Sequence, residues 1–379
     1  MSVKQQYPVN PDRNVPWNTL PDLPLDPEVW ETISVYKQLA KAKEAIGKLQ
    51  GRSIALPDPS VLITIITLQE SRDSSAIENI FTTNDELFQA YTQSAKEPVK
   101  GPAKEVLYYR EAMWEGINLI EKNQKFTREY FVNLYRIVKN TNDGIRPPVA
   151  KVYISKSGSL QSFQKETLYT PPRGEGIVEE KLDNLASFVN DDERYNIDPL
   201  LKMAMAHFQF EAIHPFRDGN GRVGRLFNIH LLIQKKVLDY PILYLSKFLI
   251  EQRQRYYDGL AGVSQRGDWQ EWILFLLSAL EHTAEFSYQL LNQLVEMKQD
   301  ILEYIRQKTS IRNPDQLVDM IFSNPYTKVA HFVDNHIYAE KTARDYLNEL
   351  TELGILEKKV IRGHHYYLNS ELYRLIEEV

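Results

Sequence analysis

The chain has no cysteine among its 379 residues. That excludes disulfides and thiolate chemistry, and it fits a reducing compartment. Long hydrophobic runs are also missing. The most apolar stretches, such as Trp272 to Leu280, are too short to span a bilayer. There is no surplus of positive charge: the net charge of -6 argues against a surface coated for nucleic acid. Residues 2–7 are polar and offer no apolar core for a secretory signal, so a cytoplasmic protein is expected. Repeats and low-complexity tracts are absent too. What remains is an ordinary soluble globular composition, 43% hydrophobic and 25% charged, long enough for two or three domains.

Residues 1–27 are rich in Pro, Asn and Asp and read as an irregular lead-in. Helical patterning follows from Pro27 to about Ala95. Ser60 is placed to cap a helix carrying Val61, Leu62, Ile65, Ile66 and Leu68. Thr83 and Glu86 have capping-box spacing ahead of Leu87. Two more helices are expected over Lys104–Glu121 and Thr127–Thr141. The β-type runs Lys151–Ile154 and Thr167–Thr170 flank a Ser157-Gly158 turn signal, which predicts a small hairpin on a helical body. Helical periodicity then runs with breaks from Val178 to Gln307. Three short helices (317–322, 329–334 and 341–353) and two strands around Arg362-Gly363 close the chain in a winged helix-turn-helix pattern.

The densest chemistry lies in one run, His214-Pro215-Phe216-Arg217-Asp218-Gly219-Asn220-Gly221-Arg222-Val223-Gly224-Arg225. Pro215 disfavours helix at His214, so the preceding helix should end there and leave the imidazole on a loop. Gly219, Asn220 and Gly221 permit the backbone turns of an anion nest at the positive end of the next helix. Arg222 and Arg225 are three apart and share a face of that helix; with the nest they suit a di- or triphosphate. Asp218 is the one carboxylate of the loop, and magnesium usually takes one or two protein carboxylates with phosphate and water. His214 supplies a general base. The embedded Gly-x-Gly-x-x-Gly is not a dinucleotide fingerprint, because a helix and not a strand precedes it. His207, Glu211 and His214 fall on one helical face but lack the spacing of a zinc helix, so His207 is read as a packing residue.

This run is similar to the signature of the Fic (filamentation induced by cAMP) family, His-Pro-Phe-x-Asp/Glu-Gly-Asn-Gly-Arg-x-x-Arg, at every specified position. The resemblance implies a protein adenylyltransferase that moves AMP from ATP to a hydroxyl of a target protein. It implies His214 as the base, Asp218 as the Mg2+ ligand, Gly219, Asn220 and Gly221 as the anion hole, and Arg222 and Arg225 on the outer phosphates. Upstream, Ser74-Ser75-Ala76-Ile77-Glu78-Asn79 resembles the family's inhibitory motif, which implies that Glu78 pairs with Arg225 and blocks the γ-phosphate. The 151–170 hairpin resembles the flap that docks the target segment by strand addition. Gln209, Glu251 and Tyr257 lie where the family builds its ATP pocket.

The expected fold is mainly α: a Fic-type helical core with a small β-hairpin flap and a C-terminal winged helix. The expected divisions are an N-terminal helical region (1–102), the core (103–285), a connecting helix (286–310) and the winged module (311–379). From Arg312 onward eight basic residues face eleven acidic ones, which favours protein contact or a homodimer over DNA for that module. Removal of AMP from a modified protein, or a DNA-binding regulator with nucleotide as effector, are the alternatives.

Overall fold

The computed structural model describes residues 7–10, 12–54, 60–92, 100–123, 125–155, 167–361 and 363–378. The Ser157-Gly158 turn and Arg362 lie outside them. The lead-in is irregular but not detached: Tyr7 meets Trp17 and Trp269 edge-on, with ring centroids 6.2 and 5.4 Å away. Five helices follow: α1 (Ile33–Ile54), α2 (Ser60–Ile77), α3 (Asn84–Thr92), α4 (Pro102–Asn123) and α5 (Arg128–Lys139). Helix α2 starts at Ser60 itself. The Thr83–Glu86 capping box forms, with Glu86 N–H on Thr83 Oγ1 and Thr83 N–H on Glu86 Oε2, both at 3.1 Å. Thr127 caps α5 through the Tyr130 N–H.

Strands β1 (Ile154–Ser155) and β2 (Thr167–Tyr169) pair antiparallel, shorter than the runs that announced them. The Tyr169 hydroxyl donates to the Ala212 carbonyl at 2.8 Å, which pins the base of this hairpin beside His214. Helices α6 (Ile177–Asn190), α7 (Pro199–Ile213) and α8 (Asn220–Gln234) come next. Every residue of α7 from Leu200 to Ile213 is buried, and so is nearly all of α8. A helix buried all round is a core helix; these two form the centre of the molecule and hold the signature between them. Gly224 sets their spacing. A Cβ there would fall 2.4 Å from Glu211 Oε1 and 3.1 Å from the Phe210 ring.

Helices α9 (Leu245–Glu251) and α10 (Arg253–Arg266) lead into α11, which runs unbroken from Trp269 to Lys308. The connecting segment expected over 286–310 is therefore the second half of a core helix, and α1 packs along it. The C-terminal part comprises α12 (Pro314–Ser323), β3 (Tyr326–Thr327), α13 (Val329–Asp334), α14 (Glu340–Glu352), β4 (Glu357–Ile361), β5 (His364–Leu368) and α15 (Ser370–Glu377). Its sheet has three strands, in the order β3-β5-β4, where two were expected. The extra strand is only two residues long and has no sequence alternation to announce it. Helix α12 touches α2, and Tyr326 hydrogen-bonds Asp85 of α3, so this part rests on the two helices that flank Glu78. No helix among the described residues is long and apolar enough to cross a membrane.

Candidate active site

Helix α7 ends as Pro215 requires. His214 turns into the left-handed region (φ 50, ψ 60), and its N–H still closes on the Phe210 carbonyl at 3.0 Å. Two devices hold the loop. Buried Arg146 donates to the carbonyls of His214 (2.8 Å), Ile213 (3.3 Å) and Pro172, and its own N–H meets the Pro215 carbonyl at 2.9 Å. Buried Asn220 accepts from Phe216 N–H at 2.8 Å and donates back to the Phe216 carbonyl at 2.9 Å. The imidazole Nδ1 lies 3.3 Å from the Glu211 carbonyl. A proton on Nδ1 satisfies that carbonyl and leaves Nε2 with a free lone pair. Burial pushes the His214 imidazole down to about 4, with the Arg146 charge adding to it, so the ring is neutral at pH 7.

Gly219 opens α8 at φ 77 and supplies no side-chain cap to the amides of the first turn. Asp218 stands at the rim. One oxygen accepts the Gly219 N–H at 2.7 Å and the other meets Lys139 Nζ at 2.6 Å. Against its partial burial, the Lys139 ammonium holds this carboxyl below the usual range. Lys139 also covers Gly219 with its methylenes, 3.2 Å from where a Cβ would stand.

The two signature arginines are both only 1% exposed at the side chain. Arg225 donates from Nε to Ser74 Oγ (2.8 Å), and from Nη2 to the Ser74 carbonyl (2.8 Å) and Glu78 Oε1 (2.9 Å). Ser74 lies near the end of α2, and Glu78 follows the helix on a turn that Asn79 completes at φ 62. The Glu78 carboxylate reaches across to Gly221, where a Cβ would fall 2.2 Å from its Oε1. One carboxylate thus covers both the arginine and the start of α8. Burial opposes a charge on Arg225, but Glu78 beside it keeps the guanidinium protonated. Arg222 pairs with Glu105 of α4 at 3.1 Å.

Behind these groups Glu211 is buried, and burial pushes its carboxyl up to about 8. His207 packs between Tyr256 and Trp272, accepts or donates at 2.9 Å with the Tyr256 hydroxyl, and is pushed down to about 3 by burial. The described residues hold no trio of His, Cys, Asp or Glu arranged for a metal ion.

The expected pocket residues Gln209, Glu251 and Tyr257, and the first residues of the signature, are placed as follows. Gln209 is buried and its amide donates to the Pro21 carbonyl at 2.9 Å, so it anchors the lead-in. Phe216 is stacked on Tyr135 at 4.2 Å and anchors the loop in the core; Pro215 beside it is buried too. Glu251 forms a surface ion pair with Lys247 at 3.1 Å. Tyr257 stays near the site: burial raises its hydroxyl, and the Glu78 and Arg225 charges both act on it. Arg217 is exposed at the loop's tip. Sequence reasoning missed Arg146, Lys139, Glu105 and Glu70. Glu70 accepts from Ser246 N–H (2.7 Å), Ser246 Oγ (2.5 Å) and the Tyr109 hydroxyl (3.2 Å), and so ties α2 to α9 and α4. None of the four carries a spacing signal, because each partner is distant in sequence.

Comparison with known proteins agrees with this geometry. Residues 36–118 match the family model described as Fic/DOC family N-terminal. Residues 125–232 match the Fic/DOC family. Residues 297–372 match the C-terminal domain of SoFic-like protein adenylyltransferase. The protein adenylyltransferase Fic of Aedes aegypti is 28% identical over 167 residues, which is 44% of this chain and 30% of that protein. Its counterpart in Culex quinquefasciatus is 32% identical over the same shares. The chain thus spans less than a third of the length of these relatives. A Fic family protein from Desulfovibrio desulfuricans G20 shares the fold over 92% of this chain and 98% of its own, at a TM-score of 0.53 and 18% identity. Fic-1 of C. elegans does so over 66% and 70%, at a TM-score of 0.50 and 18% identity. With three consecutive family matches between residues 36 and 372, and with the signature placed on a loop between two core helices of that fold, the chain belongs to the Fic family.

Proposed function

We propose that this protein is an autoinhibited, magnesium-dependent protein adenylyltransferase, transferring AMP from ATP to a Tyr, Thr or Ser hydroxyl of a target protein and of itself. The observation that carries this is the juxtaposition of a neutral His214, the first turn of α8 with no N-cap side chain, and Arg225 held by Glu78. The mosquito relatives, which are protein adenylyltransferases by name, support the same activity. His214 Nε2 takes the hydroxyl proton as that oxygen attacks the α-phosphorus of ATP. The bond from the α-phosphorus to the bridging oxygen breaks and pyrophosphate leaves. Amides of residues 219–221 face the charge that develops on the phosphate, and Arg222 and Arg225 face the outer phosphates.

Asp218 fits a magnesium ligand: it is a single, largely exposed carboxylate that already meets a cation, the Lys139 ammonium. Among the described residues no metal-ready trio gathers there, and a metal would complete its shell from phosphate and water. Bound magnesium would neutralise charge on the phosphates. Glu78 opposes all of this by pairing with Arg225 and lying over Gly221, which directs ATP away from the productive pose. The β1–β2 hairpin, pinned beside His214, is where a target segment would add as a strand. In the C-terminal part, read as a winged helix, Arg344 of α14 is already paired with Glu340 at 2.5 Å, which favours protein contact or a homodimer over DNA. A cytoplasmic setting accords with ATP as the substrate.

The test is label transfer from α-labelled ATP with magnesium, comparing wild type, Glu78→Gly and Glu78→Gly with His214→Ala. Labelling should rise at least tenfold in the single variant and fall by about 10²–10⁴ in the double. A folded Glu78→Gly protein that labels nothing would sink the transfer reading and turn attention to AMP removal, in which Glu78 would orient the water.

A further inference from the structure

We propose that Glu105 is a second inhibitory carboxylate, masking Arg222 from nucleotide phosphates as Glu78 masks Arg225; this rests on the nucleotide reading above. Arg222 and Arg225 stand one turn apart on α8, and both side chains are only 1% exposed. Each is met by one carboxylate from outside the signature, Glu105 of α4 at 3.1 Å and Glu78, just beyond α2, at 2.9 Å. These carboxylates are 43% and 34% exposed, so they form the outer layer. An anion arriving from solvent meets them before it meets the guanidinium groups.

The two pairs differ in a way that points to a ligand. Arg225 keeps two bonds to Ser74 when Glu78 moves away. Arg222 gives Nη1 to Glu105, while its buried Nε has no acceptor. Leaving a charged donor buried without an acceptor is costly, and a pair built only to tie α4 to α8 would use it. The guanidinium also lies at the anion-ready turn: Nη2 is 3.8 Å from where a Gly219 Cβ would stand. An outer phosphate of a nucleotide whose α-phosphate sits over residues 219–221 would thus pass near Nη2 of Arg222, whose Nη1 Glu105 holds. Glu105 opposes that phosphate twice, by holding Arg222 and by like-charge repulsion.

The experiment measures ATP, ADP and AMP affinity by calorimetry on the full chain with magnesium. The background is Glu78→Gly with His214→Ala, so that bound ATP is not consumed. Adding Glu105→Gln should tighten ATP and ADP by roughly tenfold and leave AMP within about twofold, because only the outer phosphates gain a partner. Equal affinities with and without Glu105→Gln, or equal shifts for all three nucleotides, would overturn the proposal while the nucleotide reading stands. Absence of ATP binding in the background itself would overturn both. Should the Gln variant unfold, Glu105→Asp, which keeps the charge but shortens its reach, is expected to tighten ATP; no change there overturns the proposal.

Discussion

Arg146 offers the sharpest test of how the catalytic loop is held. Its guanidinium donates to three carbonyls at the end of α7 and in the segment after β2, and its side chain is buried. Hydrogen bonds from a charged donor contribute about 1.5–3 kcal/mol each, and the carbonyls left behind lose their partner in a dry environment. The bonds share one group and are not additive, so Arg146→Ala should cost about 3–5 kcal/mol. At roughly 2–4 °C per kcal/mol for a domain of this size, melting should fall by about 10 °C. Arg146→Lys keeps the charge but not the fork, and should lose less. A second readout is independent of stability. The Arg146 charge helps hold the His214 imidazole down, so its removal should raise the titration midpoint of that ring, followed by NMR. A variant that melts within a degree of wild type, with the His214 titration unmoved, would refute the reasoning that Arg146 fixes the loop.

Gly224→Ala places a methyl 2.4 Å from Glu211 Oε1 and 3.1 Å from the Phe210 ring, forcing α7 and α8 apart; a loss of about 1–3 kcal/mol is expected in chemical denaturation. Lys139→Ala removes the cation on Asp218, and should let Mn2+ bind severalfold tighter in the presence of ATP, read by electron paramagnetic resonance. Stability should peak near pH 6.5. His207, His214 and His230 sit at about 3, 4 and 4 in the fold, below their unfolded value, so stability declines as pH falls from about 6.5 towards 4. Glu70 and Glu211 sit at about 7 and 8, above theirs, so stability declines as pH rises through 7 and 8. Thermal melts from pH 4 to 9 check both limbs, and Glu211→Gln should flatten the alkaline one.

The parts of the site legible in the sequence are those whose chemistry is local. Pro215 dictates where α7 ends, Gly219 where α8 begins, and a three-residue step puts Arg222 and Arg225 on one face; all three hold in the structure. The Ser74–Glu78 spacing likewise brings both residues to one guanidinium. Local reasoning failed where the burial of a face decides a role. The resemblance places Gln209 at the ATP pocket, but α7 is buried on every side and Gln209 faces the lead-in. Phe216 belongs to the signature, yet its ring turns inward to Tyr135. Arg146, Lys139 and Glu105 are single charges with partners 68, 79 and 117 positions away, and a lone charge on an amphipathic stretch reads as a solvated one.

The charge pattern also bears on how the proposed inhibition would be released. The three charges of the signature expected to meet nucleotide or metal, Asp218, Arg222 and Arg225, are each countered from outside it, by Lys139, Glu105 and Glu78. Helix α2 cannot leave cheaply to free Arg225. Glu70 is bonded to Ser246 and Tyr109, Asp73 to Tyr244, and Ser74 to Arg225, all in buried surroundings. Withdrawing the helix would strip these partners together, at a penalty that rises with each unmet buried group. Glu78 is placed differently. It follows the last turn of α2, its carboxylate is a third exposed, and the chain reverses at Asn79 immediately after it. Movement of that carboxylate alone breaks one ion pair and uncovers Gly221, while Ser74 keeps Arg225 in position. Under the autoinhibition proposed above, release would therefore be a local event at residues 78–79, with α2 remaining as part of the wall of the site.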